Sequence, residues 1–280
     1  MKSFSISEVY IKENMRTIDI NPLDKKYCSF DCVFCPYGRT IVKTYDSFDF
    51  EKNDEFLIEL ENSLKINEID LVYIDPLGES LANNRFSDII DLVKEYKSKI
   101  KILSNGYIFN DERYLFDLNK CDEVIGELAV TTEEKFIKIQ RPIKGFTLEK
   151  YIGNMTEFNE QFNGIFSVDI TILKNISDSE DDIDKFIKFL EIIKPDKISI
   201  GTSTNEKLKG KFQVNDEKLK HIESKLLVRG EKMIEKDKML AGELYNPYDE
   251  MLVNDRFKAK TICQKYNQLL PKDCLKKVNY

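Results

Sequence analysis

Six short apolar runs, alternating with stretches whose apolar residues recur every three to four positions, constrain the fold of this chain more than any other feature. The runs cover residues 17–20, 69–74, 100–103, 123–127, 165–173 and 197–200, and the helix-period stretches include 51–66, 86–96, 148–158 and 179–193. Strand and helix in alternation predict parallel α/β packing. Six strands are fewer than the eight of a closed barrel, so the expected architecture is an open (β/α)6 partial barrel. Ser177 or Ser179, ahead of Glu180, Asp181 and Asp182, caps a helix and sets carboxylates at its positive end, and Pro195 follows the last turn. Past about Val228 the pattern changes. Residues 229–280 lack a strand-like run and predict two helices, 231–240 and 250–270, about the turn at Asn246-Pro247. Leu252, Val253, Phe257, Ile262, Cys263, Tyr266 and Leu270 lie along one side of the second helix. We expect a core domain over 1–228 and a helical appendage over 229–280, too short to hold a large core alone.

Composition narrows the chemistry. Forty-three Lys and Arg against 50 Asp and Glu leave a net charge of −7, which argues against a surface built to grip phosphates. A basic stretch over 207–238 is the local exception. The first twenty residues lack a basic, then apolar, leader, and no run is long enough to span a bilayer, so a cytoplasmic protein without membrane contact is expected. One histidine, His221, leaves almost no material for His-rich zinc sites or for Ser-His-Asp and Cys-His machinery. It falls on a helix rich in Lys and Glu and is expected to be solvated.

The six cysteines are not dispersed as in a secreted disulfide scaffold, because Cys28, Cys32 and Cys35 crowd one loop directly after the first predicted strand. Three soft thiolates within eight residues suit an iron–sulfur cluster or zinc. A structural zinc site wants a fourth Cys or His and a fully ligated [4Fe–4S] cluster a fourth Cys, and neither is nearby in sequence. A cluster held by three Cys keeps one iron open to a ligand. The competing readings are a zinc knuckle completed by Cys121, Cys263 or Cys274, and a set of buried thiols.

Cys28-x3-Cys32-x2-Cys35, with Phe34 just before the third Cys, resembles the hallmark of radical S-adenosylmethionine (SAM) enzymes. The resemblance implies a [4Fe–4S] cluster on those three Cys and SAM chelating the open iron. One electron then cleaves SAM to methionine and a 5′-deoxyadenosyl radical that abstracts hydrogen from substrate. Gly78-Glu79 at the end of the second predicted strand is similar to the family's Gly-Glu motif, with Leu77 where a second glycine is common and Ser80 where proline is common. By that likeness Glu79 receives the SAM ammonium and Gly78 lets the backbone approach. Ser104-Asn105-Gly106 is similar to a turn beside the SAM methionine or ribose, and Arg141-Pro142 resembles an element whose guanidinium pairs with the SAM carboxylate. Phe34 is implied beside the adenine, and Asp169, Thr171 and Lys174 are implied toward ribose or substrate. All of these lie at predicted C-terminal strand ends, with Asp169, Thr171 and Lys174 assigned to the fifth strand, and parallel α/β folds place their sites there.

The likeness covers about 4–228. With Tyr37-Gly38-Arg39-Thr40 it looks like a branch labelled Fe–S oxidoreductase or wyosine-synthase-like. An electron donor such as flavodoxin or ferredoxin is implied, while an RNA base, a peptide and a sugar stay open as substrates. The stretch 231–267 resembles the N-terminal helical segment of maltose and galactoside O-acetyltransferases, without the hexapeptide repeats that carry catalysis there. It is expected to act as a sugar-contacting lid, a docking element or a fusion remnant. For Cys121, Cys263 and Cys274 a second cluster is one reading, and isolated thiols acting as small buried hydrophobes are the commoner one. Outside enzymes, the alternatives are a zinc- or cluster-binding interaction protein and a remnant docking to an acetyltransferase-type partner.

Overall fold

The computed structural model describes residues 3–107, 109, 111–205, 207–230, 236, 239–240, 242 and 244–267. Strands β1 (Ser5–Ile6), β2 (Tyr10–Lys12) and β3 (Met15–Asn21) open the chain, followed by the short β4 (Tyr27–Cys28) and β5 (Val42–Lys43). Next come α1 (Asn53–Asn67), β6 (Leu71–Ile74), α2 (Phe86–Glu95), β7 (Lys99–Ser104), α3 (Glu112–Leu118) and β8 (Glu123–Leu128). Helix α4 (Glu133–Lys135) runs into a π-turn (Phe136–Gln140). Then follow α5 (Leu148–Gln161), β9 (Ile165–Ile172), α6 (Glu180–Ile193), β10 (Lys197–Thr202), α7 (Lys209–Phe212) and α8 (Asp216–Gly230).

The six expected strands are β3, β6, β7, β8, β9 and β10, paired in that order and all parallel. The path ends at β10, so the sheet is open, a partial barrel with helices between successive strands. Two antiparallel strands unmarked by any apolar run cover the outer edge of β3: Ser5 stands opposite Asn21 and Tyr10 opposite Thr17. They are two and three residues long, so only pairing with β3 holds them extended.

Alternation along each strand gives the sheet two unlike faces. Ile18, Ile20, Val72, Ile74, Ile100, Ile102, Val124, Phe166, Val168 and Ile170 are buried in one continuous core. Helices close it with apolar residues three to four apart: Phe56, Leu60 and Leu64 of α1, Phe86, Ile89 and Val93 of α2, and Ile183, Phe186, Ile187 and Leu190 of α6. The intervening residues belong to the other face, which is polar. Helix starts are fixed locally. Ser179, not Ser177, caps α6 by accepting from the Asp182 amide at 3.2 Å, while Ser177 accepts from the Leu173 amide at 3.0 Å. Thr147 caps α5 in the same way, and Lys194 ends α6 with a left-handed backbone (φ 52°) just before Pro195.

The chain divides into two compact units, Met1–Glu231 and Lys232–Tyr280. In the second, α9 spans Glu250–Asn267, its first turn bonded to the Asp249 carboxylate by the amides of Met251 and Leu252. Most of the helix expected at 231–240, and residues 268–280 with Leu270 and Cys274, lie outside the described residues. No helix among the described residues is long and apolar enough to cross a membrane.

Candidate active site

The segment leaving β3 makes a broad loop that carries the three clustered cysteines, and three sets of hydrogen bonds set its shape. The amides of Asp31 and Val33 bond to the carbonyls of Gln140 and Ile139 on the π-turn, at 3.1 and 2.9 Å. Asn205, past β10, donates its side-chain amide to the Cys35 carbonyl at 2.8 Å. The Thr44 amide closes on the Cys28 carbonyl at 3.0 Å. Inside the loop the Asp31 carboxylate takes an ion pair from Arg39 at 2.6 Å, the Thr40 amide at 2.9 Å and the more distant Arg141 at 3.6 Å. Burial alone would raise the Asp31 carboxyl, but the Thr40 and Arg39 hydrogen bonds and the two guanidinium charges hold it below the usual carboxylate range.

Glu79 follows β6 and is buried, 5% exposed. Its amide donates to the Tyr27 carbonyl at 2.8 Å, one residue before Cys28. A Cβ at Gly78 would stand 1.9 Å from that same carbonyl oxygen, so glycine is needed where the Gly-Glu turn lies against the cysteine loop. Oε2 of Glu79 accepts from Ser104 Oγ and from the Asn105 amide, both at 3.0 Å. Asn105 Nδ2 in turn reaches Cys28 Sγ at 3.3 Å and Ser29 Oγ at 3.1 Å. Acid, turn and thiol therefore form one hydrogen-bonded chain across three strand ends. Burial pushes the Glu79 carboxyl up to about 7 against these hydrogen bonds, with the Ser80 and Leu81 amides also facing it. Burial likewise pushes the Cys28 thiol up to about 12 and raises Cys32, whose thiol also feels the charges of Cys28, Glu127 and Cys35.

Four buried side-chain atoms have no hydrogen-bond partner among the described residues: Glu79 Oε1, Ser80 Oγ, Gln140 Oε1 and Ser203 Oγ. They follow β6, β8 and β10, all at the end of the sheet that carries the cysteines. An unpaired buried polar atom costs about 1–3 kcal/mol, and all four lie at one end of one sheet. The open oxygen of a buried carboxylate suits an ammonium, and three clustered thiols suit soft metal chemistry. Among the described residues no three His, Cys, Asp or Glu have the spacing to hold a single metal ion. A [4Fe–4S] cube gives each thiolate its own iron, so its ligands stand farther apart than those of one ion.

The polar face of the sheet continues from this end. Register places Asp19 beside Tyr73, Tyr73 beside Lys101, and Glu127 beside Asp169. Tyr10 donates to Asp19 at 2.6 Å and Tyr37 to Asp75 at 3.1 Å. Burial first, then neighbouring carboxylates, pushes Glu127 up to about 7; burial and Asp19, opposed by the Tyr37 bond, put Asp75 at about 6. Tyr73 and Asp169 are raised by burial as well. A cavity of about 300 Å³ lies on this face among Tyr73, Lys101, Ser167, Asp169, Lys197 and Ser199.

Of the residues singled out from sequence, Cys28, Gly78, Glu79, Ser104 and Asn105 meet directly. Phe34 packs in a separate apolar group with Ala129, Leu173 and Phe212. Arg141, with a left-handed backbone (φ 50°), directs its guanidinium to Asp31 of the cysteine loop. Asp169 and Thr171 lie on β9, and Lys174 lines a different cavity with Asp178 and Lys218. Cys121 is a buried thiol at the opposite end of the sheet, its Sγ 3.7 Å from the Asp117 carbonyl oxygen, and Cys263 is exposed on α9. His221 is solvated and 3.3 Å from Glu180. Lys26, Asp31, Gln140, Glu127 and Asn205 enter the site unannounced by any motif; for Gln140 the one signal was its place beside Arg141.

The open parallel sheet with helices between its strands is a radical SAM-type fold. TYW1 with a lysine-pyruvate adduct bound aligns over 77% of this chain and 74% of its own, with a TM-score of 0.57 and 14% identity. A radical SAM methyltransferase from Sphaerobacter thermophilus aligns over 80% of this chain and 66% of its own, with a TM-score of 0.58 and 10% identity. Relatives by sequence include a UPF0026 protein of Methanocaldococcus jannaschii, 27% identical over 190 residues, which cover 67% of this chain and 59% of that one. A protein named GTPase Obg from Brachyspira hyodysenteriae is 28% identical over 212 residues, 72% of this chain but 30% of that one. The chain thus covers less than two thirds of either relative. Residues 238–278 match the family described as the maltose acetyltransferase hexapeptide capping motif.

Proposed function

We propose that this protein is a radical SAM enzyme. The reading rests on Glu79: a buried carboxylate with one oxygen bonded to Ser104 and Asn105, the other open, and a direct link through Asn105 to Cys28. In this reading Cys28, Cys32 and Cys35 hold a [4Fe–4S] cluster, and Glu79 Oε1 takes the SAM ammonium. Bound there and given an electron from a flavodoxin- or ferredoxin-type donor, SAM supplies hydrogen-atom abstraction. Asn105 fixes the Cys28 sulfur, Asp31 with Arg39 and Arg141 keeps the loop in one shape, and Gln140 and Ser203 offer further polar contacts. The substrate enters along the polar face. Carboxylates such as Asp169 and cations such as Lys101 and Lys197 line its cavity together, which suits a small polar group of a substrate.

The capping-motif match, with Tyr248 and Phe257 exposed, supports a docking role for 229–280 toward an acetyltransferase-type partner. The radical SAM reading is tested by SAM binding to anaerobically reconstituted protein. Glu79→Gln is expected to weaken binding roughly 10- to 100-fold, because an ammonium then meets a neutral amide in a buried site. Wild-type affinity is expected to climb as pH rises toward about 7, where Glu79 ionises, and to level off above it. Equal affinities for the two proteins would remove Glu79 from the site.

A further inference from the structure

Lys26 is the one lysine or arginine among the described residues that is buried, 5% exposed. Its neighbour Lys25 is half-buried, its Nζ over the Tyr27 ring at 5.4 Å. Lys26 Nζ instead points into the cysteine loop, where it donates to Cys35 Sγ at 2.9 Å and to the Gly38 carbonyl at 2.7 Å. Its backbone carbonyl accepts from the amides of Ile41 and Val42, both at 3.1 Å, so the stem that carries the side chain is fixed from behind. The same ammonium acts through space on Cys28, Cys32 and Glu127, easing the charged form of each. Burying an ammonium is costly unless it meets negative charge. The two contacts seen are one ligand sulfur and one neutral carbonyl, so the positive charge is held against the cysteine loop.

Resting on the cluster reading above, we propose that Lys26 is an electrostatic positioning residue whose ammonium, hydrogen-bonded to the sulfur of Cys35, raises the reduction potential of the cluster. A [4Fe–4S] cluster on three thiolates carries one net negative charge when oxidised and two when reduced. The reaction adds a single electron from a low-potential donor, dithionite in the test, and breaks no bond in the protein. A fixed positive charge and a hydrogen bond at a ligand sulfur both favour the more negative form, and these are recognised means of tuning such clusters. The buried carboxylates of Glu79 and Glu127 push the other way. Lys26 is the buried cation beside the loop that opposes them.

The test is the midpoint potential of the anaerobically reconstituted full chain, followed by the paramagnetic signal of the reduced cluster as dithionite lowers the potential. Lys26→Met, of similar length and neutral, is expected to shift the reduced-to-oxidised ratio at a fixed potential by tenfold or more, a fall of about 59 mV for one electron. Lys26→Arg is expected to stay near the wild-type value. An unchanged midpoint in Lys26→Met, with full iron and sulfide, overturns the proposal and leaves Lys26 a scaffold for the Gly38 turn. If Lys26→Met binds no cluster, Lys26→Gln and Lys26→Arg decide. A cluster in the Arg variant, with a lowered midpoint or no cluster in the Gln variant, supports the charge; its absence from both overturns it. Absence of a [4Fe–4S] cluster from the wild type itself defeats the reading of the site rather than this inference alone.

Discussion

The two faces of the central sheet come from the same six strands, yet they solve opposite problems. On the helix-covered face, Ile20, Ile74, Ile102, Val124 and Val168 are all fully buried, and removal of apolar surface from water stabilises the fold. On the other face Tyr73, Glu127 and Asp169 put ionisable groups where burial opposes their charge. One face carries the stability. The other carries groups whose charge burial opposes, which suits a site better than a core.

The largest difference between the faces should appear on truncation of the core. Phe186 of α6 is fully buried, and Phe186→Ala is expected to cost about 3–5 kcal/mol in urea unfolding, through lost transfer energy and the cavity left behind. A loss below about 1 kcal/mol would mean that the helix face does not carry the fold. The polar face should respond with the opposite sign. Asp75 has its folded pKa raised to about 6, chiefly by burial, above an unfolded value of about 3.9. Its contribution to stability is therefore fully present below about pH 4 and is lost as pH rises through about 6. Asp75→Asn keeps an acceptor for Tyr37 and is expected to stabilise the unligated protein at pH 8 by about 1 kcal/mol, with the gain vanishing near pH 4. Destabilisation at pH 8 would show that the polar face is an ordinary satisfied surface.

The same contrast explains what the sequence disclosed. The apolar residues of one face mark all six parallel strands, even where Glu123 and Glu127 alternate with Val124 and Leu128, because alternation is itself the strand signal. Strands β1 and β2 escape notice because their pairing with β3 is non-local and their own residues, Ser5–Ile6 and Tyr10–Lys12, carry no period. In the site, Cys28, Glu79, Ser104 and Asn105 are legible from motif spacing, and the fold joins them. Lys26 is not, since Lys25-Lys26 looks like a solvated pair until backbone direction turns one side chain inward. Arg141 was visible as a basic residue after a strand. That it reaches Asp31 depends on a left-handed turn which its own residue type does not announce.

The measurement that most directly tests the account is release of 5′-deoxyadenosine by the full chain, reconstituted anaerobically with iron and sulfide, supplied with SAM and dithionite, and compared with Cys32→Ala. The account predicts release by the wild type and none above background in the variant. Equal release by both proteins, or none from a wild type that carries a complete cluster and binds SAM, would contradict it.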